Sequence, residues 1–288
     1  MTRTVFLSIV IPVRDRWGCL GRCLDALAAS RSAPPFEVII VDDGSSLRAP
    51  SDISEADLPG PLRVITQQPM GISAARNRGI AEAVGEVILF IDSDCRVHPD
   101  CLRYLACCIQ AHPTDLAFQL QVTGDNTLVG QMERLRVEST IKALSTDDNH
   151  VSYANTSGFA LRRSCLGGSS LFDVRVVRGE DTLLLQRIIA TGNLPRYASE
   201  ATVVHAPPYS PVQYTFRHLR IGYHSGKARR LIMERGPIFL GTKGRRAVLS
   251  GMWRATSAKP KQVSALGLCL LAYALETLGR RAYTLWGS

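Results

Sequence analysis

The order of apolar and polar blocks along this 288-residue chain predicts strand, helix, strand, strand, helix and strand before residue 95. Phe6 to Ile11 reads as a strand that Pro12 is expected to end, since proline cannot donate to a ladder. Trp17 to Ala29 carries Leu20, Leu24 and Leu27 at helical spacing. Phe36 to Val41 is a second strand, closed by the turn formers Asp42-Asp43-Gly44-Ser45-Ser46. Leu62 to Thr66 gives a third strand, Gly71 to Ala83 an alanine-rich helix, and Glu86 to Ile91 a fourth strand. Residues 49–61, rich in Pro, Ser and Asp, read as a surface loop. Within this order Val87-Ile88-Leu89-Phe90-Ile91 is an unbroken apolar run, the pattern of a central parallel strand covered on both faces.

Past Pro99 a helix is expected to about Ala111, then a strand from Leu116 to Val122. Leu128 to Leu144 has helical spacing with many charges, which predicts a helix lying across a surface. Asn155 to Leu161 reads as a loop and strand, and Glu180 to Ala190 as a helix burying Leu183, Leu184, Ile188 and Ile189. Ala201 to Val204 is a short strand ending at His205. From Pro211 the pattern is helical to the C-terminus, interrupted near Gly236-Pro237 and Lys259-Pro260. Strands alternating with helices predict an α/β protein with a parallel sheet.

Composition narrows the function classes. A hydrophobic content of 45% with 20% charged residues describes a globular chain and excludes a disordered one. The formal charge of +9 is concentrated, because twelve Lys or Arg stand between Arg217 and Lys261 against one acid, Glu234. Such a block seeks a polyanion: anionic lipid, a phosphate-bearing substrate or nucleic acid. Without interleaved aromatics or a base-reading motif, nucleic acid is not expected. The eight cysteines include no Cys-x-x-Cys pair and read as reduced thiols packed as small hydrophobes. Met1 to Ile11 holds too short an apolar run for a signal peptide, so a cytoplasmic protein is expected. Val263 to Gly279 is a mostly apolar run of 17 residues, at the short limit for a bilayer core of about 30 Å. Three roles stay open for it: a helix in the plane of an anionic membrane surface, a packing or homodimer helix, and a true span.

Asp92 and Asp94 end the central strand one residue apart. An unpaired buried carboxylate costs several kcal/mol, roughly, so the pair needs a cation or a solvated cleft. A divalent metal carrying a phosphate and a plain polar turn explain it equally from these residues alone. Pro12-Val13-Arg14-Asp15 and Asp42-Asp43 end strands too, and adjacent parallel strands bring their C-terminal ends to one ligand-binding crevice. There is no Gly-x-Gly-x-x-Gly after the first strand and no Gly-x-x-x-x-Gly-Lys-Ser/Thr anywhere, which argues against dinucleotide cofactors and P-loop chemistry. Glu180-Asp181 is a second acid pair, explained on its own as an acidic helix N-terminus.

At this point the chain resembles a known family. Ile9-Val10-Ile11-Pro12, Val41-Asp42-Asp43-Gly44-Ser45, Gly71-Ile72-Ser73-Ala74-Ala75-Arg76-Asn77 and Asp92-Ser93-Asp94 look like the donor-binding half of family 2 glycosyltransferases. Asn155 through Arg163, Phe172-Asp173 and Gly179-Glu180-Asp181 continue the resemblance, which spans roughly residues 5 to 226. It implies the GT-A fold, a Rossmann-like, mostly parallel α/β sheet flanked by helices, here with a helical C-terminal extension. It also implies a nucleotide-sugar donor, with a UDP-sugar expected, a divalent metal (Mn or Mg), and inversion at the anomeric carbon.

Carried over residue by residue, the resemblance gives Asp43 the base, with Pro12 and Arg14 lining the same pocket. Arg76 would contact the base or a phosphate, Asp92 would sit near the ribose with Ser93 also on the donor side, and Asp94 would bind the metal. Asp181 would be the base that takes the acceptor's proton, with Asn155 and Glu180 on the acceptor side. His205, 24 residues after Asp181, would complete the metal shell. The expected organisation is a glycosyltransferase domain over 1–210, its nucleotide-sugar half 1–95 and its acceptor half 96–210. A basic helical extension over 211–288 would associate with the inner face of a membrane or dimerise. Some of Arg217, Arg220, Lys227, Arg229 and Arg230 suit neutralising a diphosphate. The acceptor, a lipid-linked or cell-envelope precursor on one reading and a soluble small molecule or peptide on another, is not identified. The different-class alternative is a non-catalytic nucleotide-sugar binder.

Overall fold

A computed structural model of the chain describes residues 5–165, 170–234, 242–257 and 263–286. Eight strands form one sheet in the order β3-β2-β1-β4-β7-β6-β8-β5. Its first half is parallel: β3 (Leu62–Thr66), β2 (Phe36–Asp42), β1 (Leu7–Val13) and β4 (Val87–Phe90). Every residue of β1, β2 and β4 is buried, as apolar runs covered on both faces require. The sheet then turns mixed. β7 (Phe159–Arg162) runs antiparallel to β4 and to β6 (Ala117–Gly124), β8 (Arg196–His205) is parallel to β6, and β5 (Cys95–Val97) is antiparallel to β8.

α1 (Trp17–Ala28) and α4 (Cys101–Ala111) supply Leu20, Leu24, Leu27, Leu102 and Leu105 to the core on one face. α3 (Ile72–Glu82) and α6 (Glu180–Ala190) supply Ala75, Ile80, Leu184 and Ile188 to the other.

Several local expectations need correction. Pro12 does not end β1, which runs to Val13 with Pro12 paired to Val41. The ladder to β4 stops at Val10–Phe90, so the side on which proline lacks a donor has no neighbour left to satisfy. The loop at 49–61 contains a single-turn helix, α2 (Ser51–Ser54). Ala201 to Val204 belongs to the C-terminal half of the longer β8, whose pairing with β6 shifts register between Leu120 and Gln121. The largest difference is α5 (Leu128–Leu144). Its charges predict a surface helix, yet Val129, Met132, Glu133, Leu135, Val137 and Ile141 are buried.

What covers α5 is the C-terminal layer of α7 (Pro211–Glu234), α8 (Thr242–Ser257) and α9 (Val263–Trp286). Val129, Met132 and Leu135 share one apolar cluster with Tyr214, Val248, Met252 and Leu266. α7 and α9 cross at Gly222 and Gly279. A Cβ at Gly222 would meet the Glu276 carbonyl oxygen at 2.2 Å, and one at Gly279 would meet that of Leu219 at 2.2 Å. The interruptions expected near Gly236-Pro237 and Lys259-Pro260, and the side chains of Lys227, Arg229 and Arg230, lie outside the described residues.

Candidate active site

The register of β2, β1 and β4 brings three polar strand ends to one edge, because Val13 lies opposite Asp42 while β4 has already ended at Phe90. There they open on a cleft of about 680 Å3, within the usual range of small-molecule sites. Pro12, Arg14, Asp43, Arg76, Asp92, Ser93, Asp94, Asn155, Glu180, Asp181 and His205 all line it. Asp43 is buried, with Oδ1 accepting from Gln67 Nε2 and the Met70 backbone (2.8 Å each) and Oδ2 from the Gly71 backbone (2.8 Å). It therefore fixes the 67–71 loop that forms the cleft's rim. Arg14 is exposed beside it.

Arg76 is the surprise of this half. Its side chain is 1% exposed, its Nη2 donates to Asp92 Oδ1 at 2.8 Å and its Nη1 to Glu180 Oε1 at 3.1 Å. The ring of Phe172 lies under it at 5.4 Å. Sequence reasoning expects a contact to base or phosphate; the structure commits the guanidinium to a carboxylate from each half of the chain. Asp92 completes the tie, since its Oδ2 accepts from Ser157 Oγ at 2.8 Å.

Asp94 lies in a cationic setting. Its Oδ1 is 3.4 Å from His205 Nε2, and its Oδ2 accepts from Arg16 Nη1 at 2.6 Å. Burial favours the neutral acid, but the hydrogen bond and charge of His205, with Arg16 and Arg217, hold Asp94 well below the usual carboxylate range. Burial pulls His205 down, and the Asp94 bond and charge overcome this and raise it.

One ligand atom each from Asp94, Cys95 and His205 lie within 4.8 Å of one another. Burial, then the charges of Asp94 and Asp92, push the Cys95 thiol well up, and a soft sulfur suits a hard Mn or Mg ion poorly beside oxygen and imidazole donors. Asp94 and His205 remain, an oxygen and a nitrogen at a separation close to the roughly 3 Å between neighbouring donors on an octahedral ion with bonds of about 2.1 Å. The pair fits Mn or Mg, with room in the cleft for ligands from a phosphate.

Across the cleft, Gly179 turns left-handed (φ 93°), a conformation open to glycine, and starts α6 with Glu180 and Asp181. Asp181 Oδ1 accepts from Thr156 Oγ1 at 2.7 Å. Burial first, then the Glu180 charge, push Asp181 up to about 7, against the opposing pull of Arg76 and Thr156. A carboxylate poised there is suited to taking a proton near neutral pH. Asn155 anchors this loop, its backbone donating to Gln119 Oε1 at 2.7 Å and its Oδ1 accepting from the Ser157 backbone at 3.0 Å.

Most of the cleft's back wall was not legible beforehand. Glu133 and Arg136 of α5, Tyr214 and His218 of α7, and Glu276 of α9 line it, beside Arg217, which the sequence offers as a diphosphate-neutralising cation. Glu133 pairs with Arg136 at 2.8 Å and also accepts from the Tyr214 hydroxyl. Despite burial, the Arg136 charge and then that of His205 lower Glu133 to about 2. His218 Nδ1 is 2.6 Å from Glu276 Oε1. Glu133 and Arg136, one turn apart in a charged helix, were the available signal, and they read as solvated until a second helical layer covers them. Arg16, Thr156 and Ser157 were also missed as site residues, although Thr156 and Ser157 lie inside the Asn155–Arg163 motif and Arg16 directly follows Pro12-Val13-Arg14-Asp15.

The model of the family described as "Glycosyl transferase family 2" matches residues 8–167. A pre-mycofactocin glycosyltransferase of Mycobacterium tuberculosis (strain CDC 1551 / Oshkosh) is 29% identical over 212 residues, 69% of this chain and 42% of that protein. The putative glycosyltransferase EpsH of Bacillus subtilis (strain 168) is 38% identical over 99 residues, 34% of this chain and 28% of that one. The chain thus spans less than half the length of these relatives. Among solved structures, the mannosyltransferase PcManGT from Pyrobaculum calidifontis, in complex with GDP-Man and Mn2+, aligns with 100% of this chain and 89% of its own at a TM-score of 0.62 and 20% identity. Residues 1–349 of S. aureus TarS, in complex with UDP-GlcNAc, align with 98% of this chain and 92% of their own at a TM-score of 0.55 and 17% identity. The fold is that of these GT-A proteins.

Proposed function

We propose a reaction for this chain on one premise: the chain belongs to glycosyl transferase family 2 and is a glycosyltransferase. The reaction is transfer of a sugar from a nucleoside-diphosphate donor, a UDP-sugar being the expected class, to an acceptor hydroxyl with inversion. The observation that carries it is the opposition of two carboxylates across one cleft, Asp94 kept ionised by cations and Asp181 pushed up to about 7. A single displacement needs both: cationic surroundings where the diphosphate leaves and a base where the hydroxyl attacks.

In this reading Asp43, Pro12 and Arg14 line the base end of the cleft, and Asp92 with Ser93 the ribose. Asp94 and His205 would hold a divalent metal, Mn or Mg, which would neutralise charge on the departing diphosphate. Arg76 keeps the donor and acceptor carboxylates in register by binding Asp92 and Glu180 together. Asn155 and Glu180 shape the acceptor side. Asp181 accepts the hydroxyl proton as the acceptor oxygen bonds to the anomeric carbon, and the bond from that carbon to the diphosphate oxygen breaks with its electrons leaving on the diphosphate.

Two observations bear on the acceptor. Val212, Phe216 and Leu219 of α7, Trp253 of α8, and Leu270 and Leu271 of α9 are exposed on the helical layer. Val263–Tyr283 is long and apolar enough to cross a membrane by length and composition. With the basic block, these support an acceptor presented at an anionic membrane surface by a peripheral, cytoplasmic enzyme. The polar back wall of Glu133, Arg136, His218 and Glu276 instead suits a soluble, hydrogen-bonding acceptor. Both readings are tested together by incubating the protein with GDP- and UDP-sugars, Mn and either lipid-linked or soluble acceptors. Release of nucleoside diphosphate, strongly reduced by EDTA, is the expected result. No turnover with any donor and acceptor would count against the whole reading.

A further inference from the structure

Six guanidinium groups line the cleft, from Arg14, Arg16, Arg76, Arg136, Arg178 and Arg217. Arg16 is engaged by Asp94, Arg76 by Asp92 and Glu180, and Arg136 by Glu133. Among the described residues, neither Arg178 nor Arg217 has a hydrogen bond or a carboxylate at ion-pair distance. Cations left unpaired on a half-buried wall are costly, so their arrangement calls for an explanation.

Their placement supplies one. The Arg217 guanidinium lies 5.0 Å from the centre of the Tyr209 ring, and that of Arg16 lies 5.1 Å from the same ring. Tyr209 therefore sets Arg217 beside the Arg16–Asp94 pair. Arg178 comes from the other wall, directly before the Gly179 turn that presents Glu180 and Asp181. Both half-buried cations line the cleft that holds Asp94 and Asp181, whereas Arg14, also without a carboxylate at ion-pair distance among the described residues, is exposed. Arg178 and Arg217 also press on each other: burial first, then the Arg217 charge, pull Arg178 down, against the opposing Glu180, Asp181 and Asp92. An anion between them would remove that repulsion and use two planar forks that match phosphate oxygens.

We propose that Arg178 and Arg217 form a two-armed clamp on the donor's diphosphate, reaching it from the α6 and α7 walls and stabilising it as the leaving group. The proposal rests on the donor reading above. It makes α7 part of the donor site, and it predicts that nucleoside diphosphate still binds when the divalent cation is removed.

The test is calorimetric titration of the full chain with GDP and UDP in EDTA and again in Mn, for wild type, Arg178→Gln, Arg217→Gln and the double variant. Each single change should weaken binding in EDTA by about 10-fold to 100-fold, the loss of one charge-assisted contact. The double variant should lose more, and Lys replacements should recover part of the affinity. Affinity for the plain nucleosides guanosine and uridine should stay at the wild-type value, which a general disruption of the cleft would not allow. Unchanged GDP and UDP affinity in both single variants overturns the clamp. If the variants instead lose affinity for geranyl diphosphate and keep it for GDP and UDP, the arginines serve a lipid diphosphate and the proposal is equally overturned. Failure of the wild type to bind either nucleotide, even with Mn, sinks the donor reading and the clamp with it. Mn-supported binding with unchanged variants sinks the clamp alone.

Discussion

The edge of the sheet where β4 gives way to β5 and the N-terminus of α6 each present an aspartate to the same cleft and treat it in opposite ways. Asp94 is surrounded by His205, Arg16 and Arg217 and is held ionised in spite of burial. Asp181 has a second carboxylate, Glu180, as its sequence neighbour, and burial and that charge raise it to about 7. The residue type is the same; the company differs. Folding responds accordingly. Asp94, depressed, contributes stability above about pH 4 that fades as pH falls through its lowered value, whereas ionising Asp181 between about pH 4 and 7 costs stability. The contrast teaches that an acid pair in the sequence is only a starting point, since the partners brought by distant segments decide which member carries charge.

The comparison can be broken most decisively at Asp181. Asp181→Asn should lower kcat by about 10^2 to 10^4, the usual worth of a positioned base, with nucleotide affinity kept. Equal loss of binding and turnover would place this residue on the donor. Next comes the tie between the two regions: Arg76→Gln leaves Asp92 and Glu180 without their shared cation, and urea unfolding should register a loss of about 3–5 kcal/mol. A smaller effect is expected from pH. If Asp181 is the proposed base it acts only when ionised, so kcat/KM should rise about tenfold per unit below about pH 7 and level off above. A flat profile from pH 5 to 8 would remove the acid–base distinction. On the Asp94 side, His205→Ala should weaken Mn binding by about tenfold as read by electron paramagnetic resonance, and an unchanged titration would return His205 to a structural role. The mildest change is Thr156→Val, which deletes a hydrogen bond to the charged form of Asp181. It should move the rising limb to higher pH and slow turnover at pH 6 by about a few-fold.

The central parallel strands were legible because they are covered on both faces, which leaves apolar runs such as Val38 to Val41 and Val87 to Ile91 with acids following where they end. Asp43, Asp92 and Asp94 stand out in the sequence for the same reason, and the structure brings them to one cleft. Two kinds of feature were not legible. One is pairing across long separations: Arg76 reaches Glu180 over 104 residues, and Arg16 reaches Asp94 over 78. A guanidinium looks alike in a sequence whether it meets solvent, substrate or a carboxylate. The other is burial by a later layer. The charges of α5 predict exposure by periodicity, and only the arrival of α7, α8 and α9 converts Glu133 into a buried, hydrogen-bonded group.

The crossing of α7 and α9 at Gly222 and Gly279 has a consequence beyond packing. Each glycine faces a backbone carbonyl of the other helix, so the two helices form a plate with no slack between its members. His218 is carried by one member and Glu276 by the other, and both face the cleft. The depth of the cleft is therefore gauged by a contact outside it. A single methyl group at Gly279 would act as a shim, prising Glu276 away from His218 and reshaping that end of the cleft, while every residue that lines it kept its identity.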